Sequence, residues 1–183
     1  KRMNLPSVPW KQFTRDTVLD ENLLWTVRVA VENSNDLNLP RAVGVRAHEA
    51  EETGRKLLEE YSGKGMVIYY PYFIAQKSGV LDIDSQRTVI EAVDRDLWNL
   101  VTLGRKDVTA VFPQEGEPKF FGNKEFLSEK ETRELLKYAD IIRGRFRQEL
   151  IVGKNVFAEW SYAYDTDSGS KPVSDLYIVF YEL

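Results

Sequence analysis

The tightest constraint in this chain lies in its last third, from Leu127 to Leu183. Ser128 and Glu131 stand at the S-x-x-E spacing of a capping box, in which each side chain satisfies a backbone N–H that a helix start leaves open. Leu135, Ala139, Ile142 and Phe146 follow at helical spacing and make one apolar face. Beyond the helix, Val156–Tyr164 alternates. Val156, Ala158, Trp160 and Tyr162 share one side of a strand, and Phe157, Glu159 and Ser161 share the other. A polar Asp-Ser-Gly-Ser loop then leads to a second strand, Leu176–Tyr181. The unit is helix, strand, loop, strand, with one carboxylate, Glu159, inside an otherwise apolar strand.

The preceding residues alternate strands and short links. Residues 1–22 carry Pro6, Pro9 and Trp10 without a clear period and read as an arm or a packed extended segment. Leu23–Val31 is a strand rich in β-branched and aromatic residues, interrupted by Arg28. A polar loop over Glu32–Leu39 and a short strand, Ala42–Val45, lead to a helix over Ala47–Tyr61, in which Gly54 is a flaw. Met66–Ala75 is a strongly aromatic strand in which Pro71 marks an edge or a bulge. Lys77-Ser78-Gly79 reads as a turn, Val80–Ile83 as the returning strand, and Thr88–Val93 as another strand. Asp94–Gly104 is a short helix or a loop. Asp107–Phe112 and Lys119–Phe121 are short strands around the Pro113–Pro118 loop. Consecutive strands with short links pair antiparallel, so the expected fold class is α+β, with mostly antiparallel sheets and packing helices.

Composition narrows the function classes. The 183 residues suffice for one large domain or two lobes, 43% of them are apolar, and the net charge of −4 mixes both signs along the chain. A nucleic-acid partner would call for a clustered basic face, so none is expected. No run approaches the ~20 apolar residues of a membrane span, so no membrane partner is expected either. The absence of cysteine excludes disulfides and thiolate metal sites and fits a cytoplasmic location. With His48 as the single histidine, a transition-metal site is not expected, and His48 reads as an exposed helix-start residue. No Walker-type loop and no G-x-S-x-G elbow is present. The start at Lys1-Arg2-Met3 and the stop inside a strand suggest a piece of a longer polypeptide.

The order of short motifs resembles the nucleotide-binding domain of the phosphoenolpyruvate synthase and pyruvate phosphate dikinase family. Leu127-Ser128, Glu159-Trp160 and Leu176-Tyr177-Ile178-Val179 stand where that family has its helix-opening "L-S/T", its "v-E-W" strand and its "LYILQ-x-R-P" strand. Thr26-Val27-Arg28-Val29-Ala30 stands at the place of "V-R-S-S-A". Met66–Phe73 with Ser78-Gly79-Val80 matches the apolar strand that leads into "S-G-V". Asp96–Gly104 can be laid over "G-L-G-E-x-V-V-x-G" without a gap.

The resemblance implies an ATP-grasp-like fold with an N-terminal lobe over residues 1–65 and a C-terminal lobe over 66–183. It implies ATP and magnesium (Mg2+) as cofactors, with ATP between the lobes, Arg28 on phosphate as the catalytic and cofactor-binding cation, and Glu159 as metal ligand. It also implies a phosphohistidine domain, in the same or another chain, as the partner that takes the phosphoryl group. Tyr70, Tyr72 and Phe73 could line an adenine slot, or be sheet core and edge. Arg28 is equally a strand-edge arginine with its stem packed and its head in water.

The departures from the family pattern matter as much. The family glutamine of "L-Q-x-R" falls on Phe180 and its arginine on Glu182. The two glycines of the glycine motif fall on Asp96 and Trp98, and its glutamate on Asn99. Phenylalanine cannot coordinate magnesium, and tryptophan fills space that glycine leaves for a ligand. Glu91, Asp94, Arg95 and Asp96 cluster in sequence and are either a rebuilt site or an ordinary charged loop. Two functions therefore stand side by side: an ATP-binding domain of a phosphotransferase, and a degenerate relative that kept the fold for binding or assembly.

Overall fold

A computed structural model describes residues 5–31 and 39–181. Lys1-Arg2-Met3, most of the Glu32–Leu39 loop and Glu182 lie outside the described residues. Among the described residues there are ten strands and four helices, arranged in two sheets. The chain divides into two compact units. One holds residues 8–74 and 164–176, and the other residues 1–7, 75–163 and 177–183. These units do not part at residue 65, where the lobes were expected to meet. Strand pairing is the reason, because the strand that starts at Met66 hydrogen-bonds into the sheet of the first unit.

That first unit is a four-stranded sheet in the order β1-β4-β2-β3, made of β1 (Lys11–Gln12), β2 (Leu24–Ala30), β3 (Arg41–Arg46) and β4 (Met66–Pro71). β1 with β4, β4 with β2 and β2 with β3 all pair antiparallel. Helix α1 (Ala47–Glu60) follows β3 directly and packs on the face that carries Trp25, Val27 and Val29. Gly54, a flaw by helix propensity, has a packing reason. The ring of Phe13, 1% exposed, lies where a Cβ on Gly54 would stand. The 164–176 segment closes this unit: the Thr166 N–H donates to Tyr72 O at 3.3 Å, and Leu24 N–H to Thr166 O at 3.4 Å.

The second unit is a six-stranded sheet in the order β10-β9-β5-β6-β7-β8. Its strands are β5 (Phe73–Ile83), β6 (Arg87–Asp94), β7 (Val108–Pro113), β8 (Lys119–Gly122), β9 (Val156–Asp165) and β10 (Tyr177–Phe180). The expected turn at Lys77-Ser78-Gly79 does not form, because β5 runs unbroken from Phe73 to Ile83. The chain breaks instead between β4 and β5, at Tyr72, whose N–H donates to Leu24 O. Ser78 and Gly79 sit inside the strand, opposite Val93 and Ala92 of β6.

Helix α3 (Glu129–Arg145) covers one face of this sheet, and Leu135, Ala139 and Ile142 are fully buried against Leu81, Ile90, Trp160 and Phe180. The predicted capping box is present: Ser128 Oγ accepts from Glu131 N, and Glu131 Oε2 accepts from Ser128 N at 2.8 Å. Phe146 is the C-cap rather than a helix-interior residue, and the short α4 (Arg147–Ile151) follows it. Asp94–Gly104 contains one short helix, α2 (Trp98–Val101), and just before it the Asp96 carboxylate accepts from Trp98 N. The architecture is thus α+β with mostly antiparallel sheets and packing helices.

Gly79 is the most demanding residue of the second unit. A Cβ there would overlap both the Glu91 carbonyl oxygen and the Trp160 indole. Gly79→Ala should lower stability by about 3 kcal/mol, since backbone and a fully buried ring must both move. Gly54→Ala should also lower it, by about 1 kcal/mol or more, although alanine is the better helix former. Denaturant unfolding of both variants checks this, and a wild-type midpoint for Gly79→Ala would refute the packing account.

Candidate functional site

Arg28 is the one exposed residue in the run from Leu24 to Val29. It lies opposite Arg41 on β3 and Ile68 on β4. Side chains on directly paired positions share a face of the sheet, so two exposed guanidinium groups stand side by side. Like charges in that arrangement repel. Among the described residues no carboxylate pairs with either of them. Tyr70 pairs with Thr26, two residues from Arg28, and so lies on the same face. Its ring stacks on Phe73, with centroids 6.2 Å apart and planes at 28°. Of these residues, Arg28 and Tyr70 share a face of the sheet, and Tyr70 touches Phe73.

Tyr72 departs from that group. Its ring lies 3.4 Å from where a Cβ on Gly44 would be, and Gly44 has φ +67° beside the β2–β3 register shift. Positive φ suits glycine, and the missing side chain lets the tyrosine ring lie on the strand. Tyr72 is packed against its own sheet.

Glu159 belongs to the six-stranded unit. It is half-buried in β9 between the exposed Phe157 and the fully buried Ser161, on the face away from α3. Its carbonyl oxygen accepts from Tyr181 N at 3.0 Å. Phe180 pairs with Trp160 and points to the α3 side, where it meets Tyr138 edge-on at 5.2 Å. The residue standing where the family has its glutamine therefore lies on the opposite face from Glu159. A side chain there fills core and reaches no ligand beside Glu159.

The charged cluster after β6 is taken up by local roles. Glu91 accepts from Lys106 Nζ at 2.6 Å and from Thr109 Oγ1 at 3.2 Å. Asp94 and Arg95, both largely exposed, approach each other at 3.6 Å, and the Asp96 carboxylate accepts from Trp98 N. Asn99 donates to the Asp94 carbonyl, and Trp98 is 62% exposed. His48 is exposed in the first turn of α1. Among the described residues no group of three or more histidine, cysteine or acidic side chains is disposed to hold a metal ion.

The sequence missed a polar network under α3. Lys77 Nζ meets Glu131 Oε2 at 2.8 Å, with both side chains mostly buried. Tyr162 Oη donates to Glu134 Oε2 at 2.9 Å. Burial, and then the Glu134 carboxylate, push the Tyr162 hydroxyl far above its usual range, so it stays a donor. Burial alone would raise the Glu131 carboxyl, but hydrogen bonds from Lys77 and Ser128 outweigh it and hold the group below its ordinary 4.5. A signal existed in the sequence: Glu131 and Glu134 flank a helix face, and Tyr162 lies on the strand face turned toward that helix.

No protein-family model matches this chain, and a search of curated proteins finds no match.

Because the folded-state pKa of Glu131 is depressed, its contribution to stability is present above about pH 4.5 and lost as pH falls through the lower folded value. Lys77→Met should cost on the order of 1 kcal/mol at pH 7. The gap in melting temperature between wild type and variant should close on acidification below pH 4.5. A gap that stays constant down to pH 3 would remove the ion pair from the account.

Proposed function

We propose that this chain is the ATP-binding domain of a phosphoenolpyruvate synthase-like phosphotransferase, of ATP-grasp-like fold. The observation that carries the reading is the pair of exposed arginines, Arg28 and Arg41, directly opposite each other beside the Tyr70–Phe73 stack. A sheet keeps two like charges on paired positions at a cost, and an anion that bridges them offsets that cost. Guanidinium next to a stacked aromatic pair is the chemistry of a nucleotide, with phosphate on the cations and a base on the ring. The fold class adds support, since an α+β chain with mostly antiparallel sheets and packed helices is compatible with the fold that the motif order implies.

The roles follow from the groups. Arg28 holds and orients phosphate and stabilises charge on it during transfer. Tyr70 and Phe73 offer an apolar surface to the base, and the ring of Tyr72, between them in sequence, packs on β3 at Gly44. Glu159 supplies a single carboxylate. Magnesium held through one carboxylate and otherwise by water and ligand oxygens needs no larger protein cluster. When bound, the ion neutralises phosphate charge. The acceptor histidine belongs to a phosphohistidine domain, a role for which the exposed His48 has no motif.

A second reading, a degenerate ATP-grasp-like domain that serves in binding or assembly, is favoured by Phe180. This residue is buried on the face opposite Glu159, which leaves the family's two metal-ligand positions apart.

Calorimetric titration of ATP, with and without magnesium, separates the readings. In the first, ATP binds, Arg28→Ala weakens it by about tenfold or more, and Glu159→Ala removes the magnesium dependence. Binding that is absent at millimolar ATP, in this chain and in any longer polypeptide that contains it, would leave the degenerate reading standing.

A further inference from the structure

The six-stranded unit contains a cavity of about 380 Å³, open to solvent, where the C-terminal end of α3 and α4 face the loops at one end of the sheet. That volume is in the range of small-molecule sites. Arg143, Arg147 and Asp140 line it, together with Gly144 and the apolar Leu150 and Ile151. We propose that this cavity binds a small organic oxyanion, a carboxylate or phosphate head with a short apolar tail, held by Arg147 and the outer edge of Arg143.

Three observations point the same way. Arg143 is fixed as a fork: its Nη1 donates to Asp140 at 2.8 Å and its Nη2 to Thr88 Oγ1 at 2.7 Å, while its buried Nε has no partner among the described residues. Of its five N–H donors, two on the Nη groups remain for a ligand, and the side chain keeps 23% exposure. Arg147, one helical turn further on, is exposed, and among the described residues no carboxylate pairs with it.

Gly144 is the third. It is the penultimate residue of α3, has no positive φ, and a Cβ there would meet nothing within 4 Å. Glycine is a poorer helix former than alanine, and neither packing nor a positive φ accounts for it here. Its effect is to leave the cavity wall open. Basic residues in the last turn of a helix complement its dipole, which accounts for Arg143 and Arg145. That explanation does not extend to Arg147, beyond the C-cap, or to Gly144. The lining charges sum to one net positive, and Leu150 and Ile151 give the tail an apolar wall.

The test is calorimetry and thermal shift on the whole chain with hexanoate, hexyl phosphate and inorganic phosphate as probes. The expected result is saturable binding of hexanoate or hexyl phosphate, weakened about tenfold or more by Arg147→Ala and by Gly144→Leu, with unfolding temperatures near wild type. Binding of hexanoate alone identifies the head as a carboxylate, and of hexyl phosphate alone as a phosphate. If Gly144→Leu does not fold, Arg147→Ala decides. The proposal is overturned if neither tailed probe binds, if inorganic phosphate binds as tightly as hexyl phosphate while hexanoate does not bind, or if Arg147→Ala leaves binding unchanged.

Discussion

The six-stranded unit depends on the contact between Trp160 and the backbone of Gly79. The indole lies on β5 where any other residue would carry a side chain. On the reverse face of the same two strands, Ser78 Oγ and Ser161 Oγ meet at 2.6 Å, fully buried. Further along, Asn155 Nδ2 donates to Asp82 Oδ1 at 2.8 Å. These contacts place β9 beside β5, running the opposite way. Since β10 pairs with β9, with a further bridge from Phe180 to Ser7, and α3 rests on Trp160 and Phe180, the seam positions both β10 and α3. Residues with this much buried contact on both faces leave little freedom for register slippage, which would turn Trp160 outward.

The same seam orients the candidate metal ligand. Trp160 must face α3, so by alternation Glu159 faces away, and Val179 and Tyr181 join it while Phe180 does not. The difference at Phe180 from the motif that the sequence resembles is therefore more than an exchange of a polar for an apolar side chain. The position itself belongs to the core of this sheet, where an aromatic ring edge-on to Tyr138 is what packing favours. Glu131 ties α3 to β5, since it caps the helix and pairs with Lys77, one residue from the Ser78–Ser161 contact.

In the four-stranded unit the organising constraint is electrostatic. β2 buries Trp25, Val27 and Val29 under α1, so Arg28 must point the other way, and antiparallel pairing then sets Arg41 beside it. Nothing in the local sequence of either strand announces this juxtaposition. Residues 28 and 41 meet because the β2–β3 register shift between Trp25 and Val27 sets the pairing. The alternation of β2 explains why each arginine is exposed, and the register explains why they are neighbours.

Much of the fold was legible. The capping box at Ser128 and Glu131, the α3 face of Leu135, Ala139 and Ile142, and the alternation of β9 are local patterns with period 3.6 or 2, and such patterns survive into the structure because burial enforces them. Lys77-Ser78-Gly79 misled because glycine and serine favour turns locally, whereas here glycine gives way to an indole 81 residues later in the chain. The division into lobes at residue 65 followed element order, while the compact units followed strand pairing. The candidate site was legible only in part. Single residues such as Arg28, Tyr70 and Glu159 stood out because a charge or aromatic ring interrupts a pattern. The Arg41 neighbour, the opposite face of Phe180 and the open wall at Gly144 depend on register and on contacts between distant segments. By itself, then, the sequence determined which elements form and which face of each is apolar, because those follow from local periodicity. Only the tertiary structure decided which charges meet and which positions share a face, because these depend on pairing across long stretches of chain.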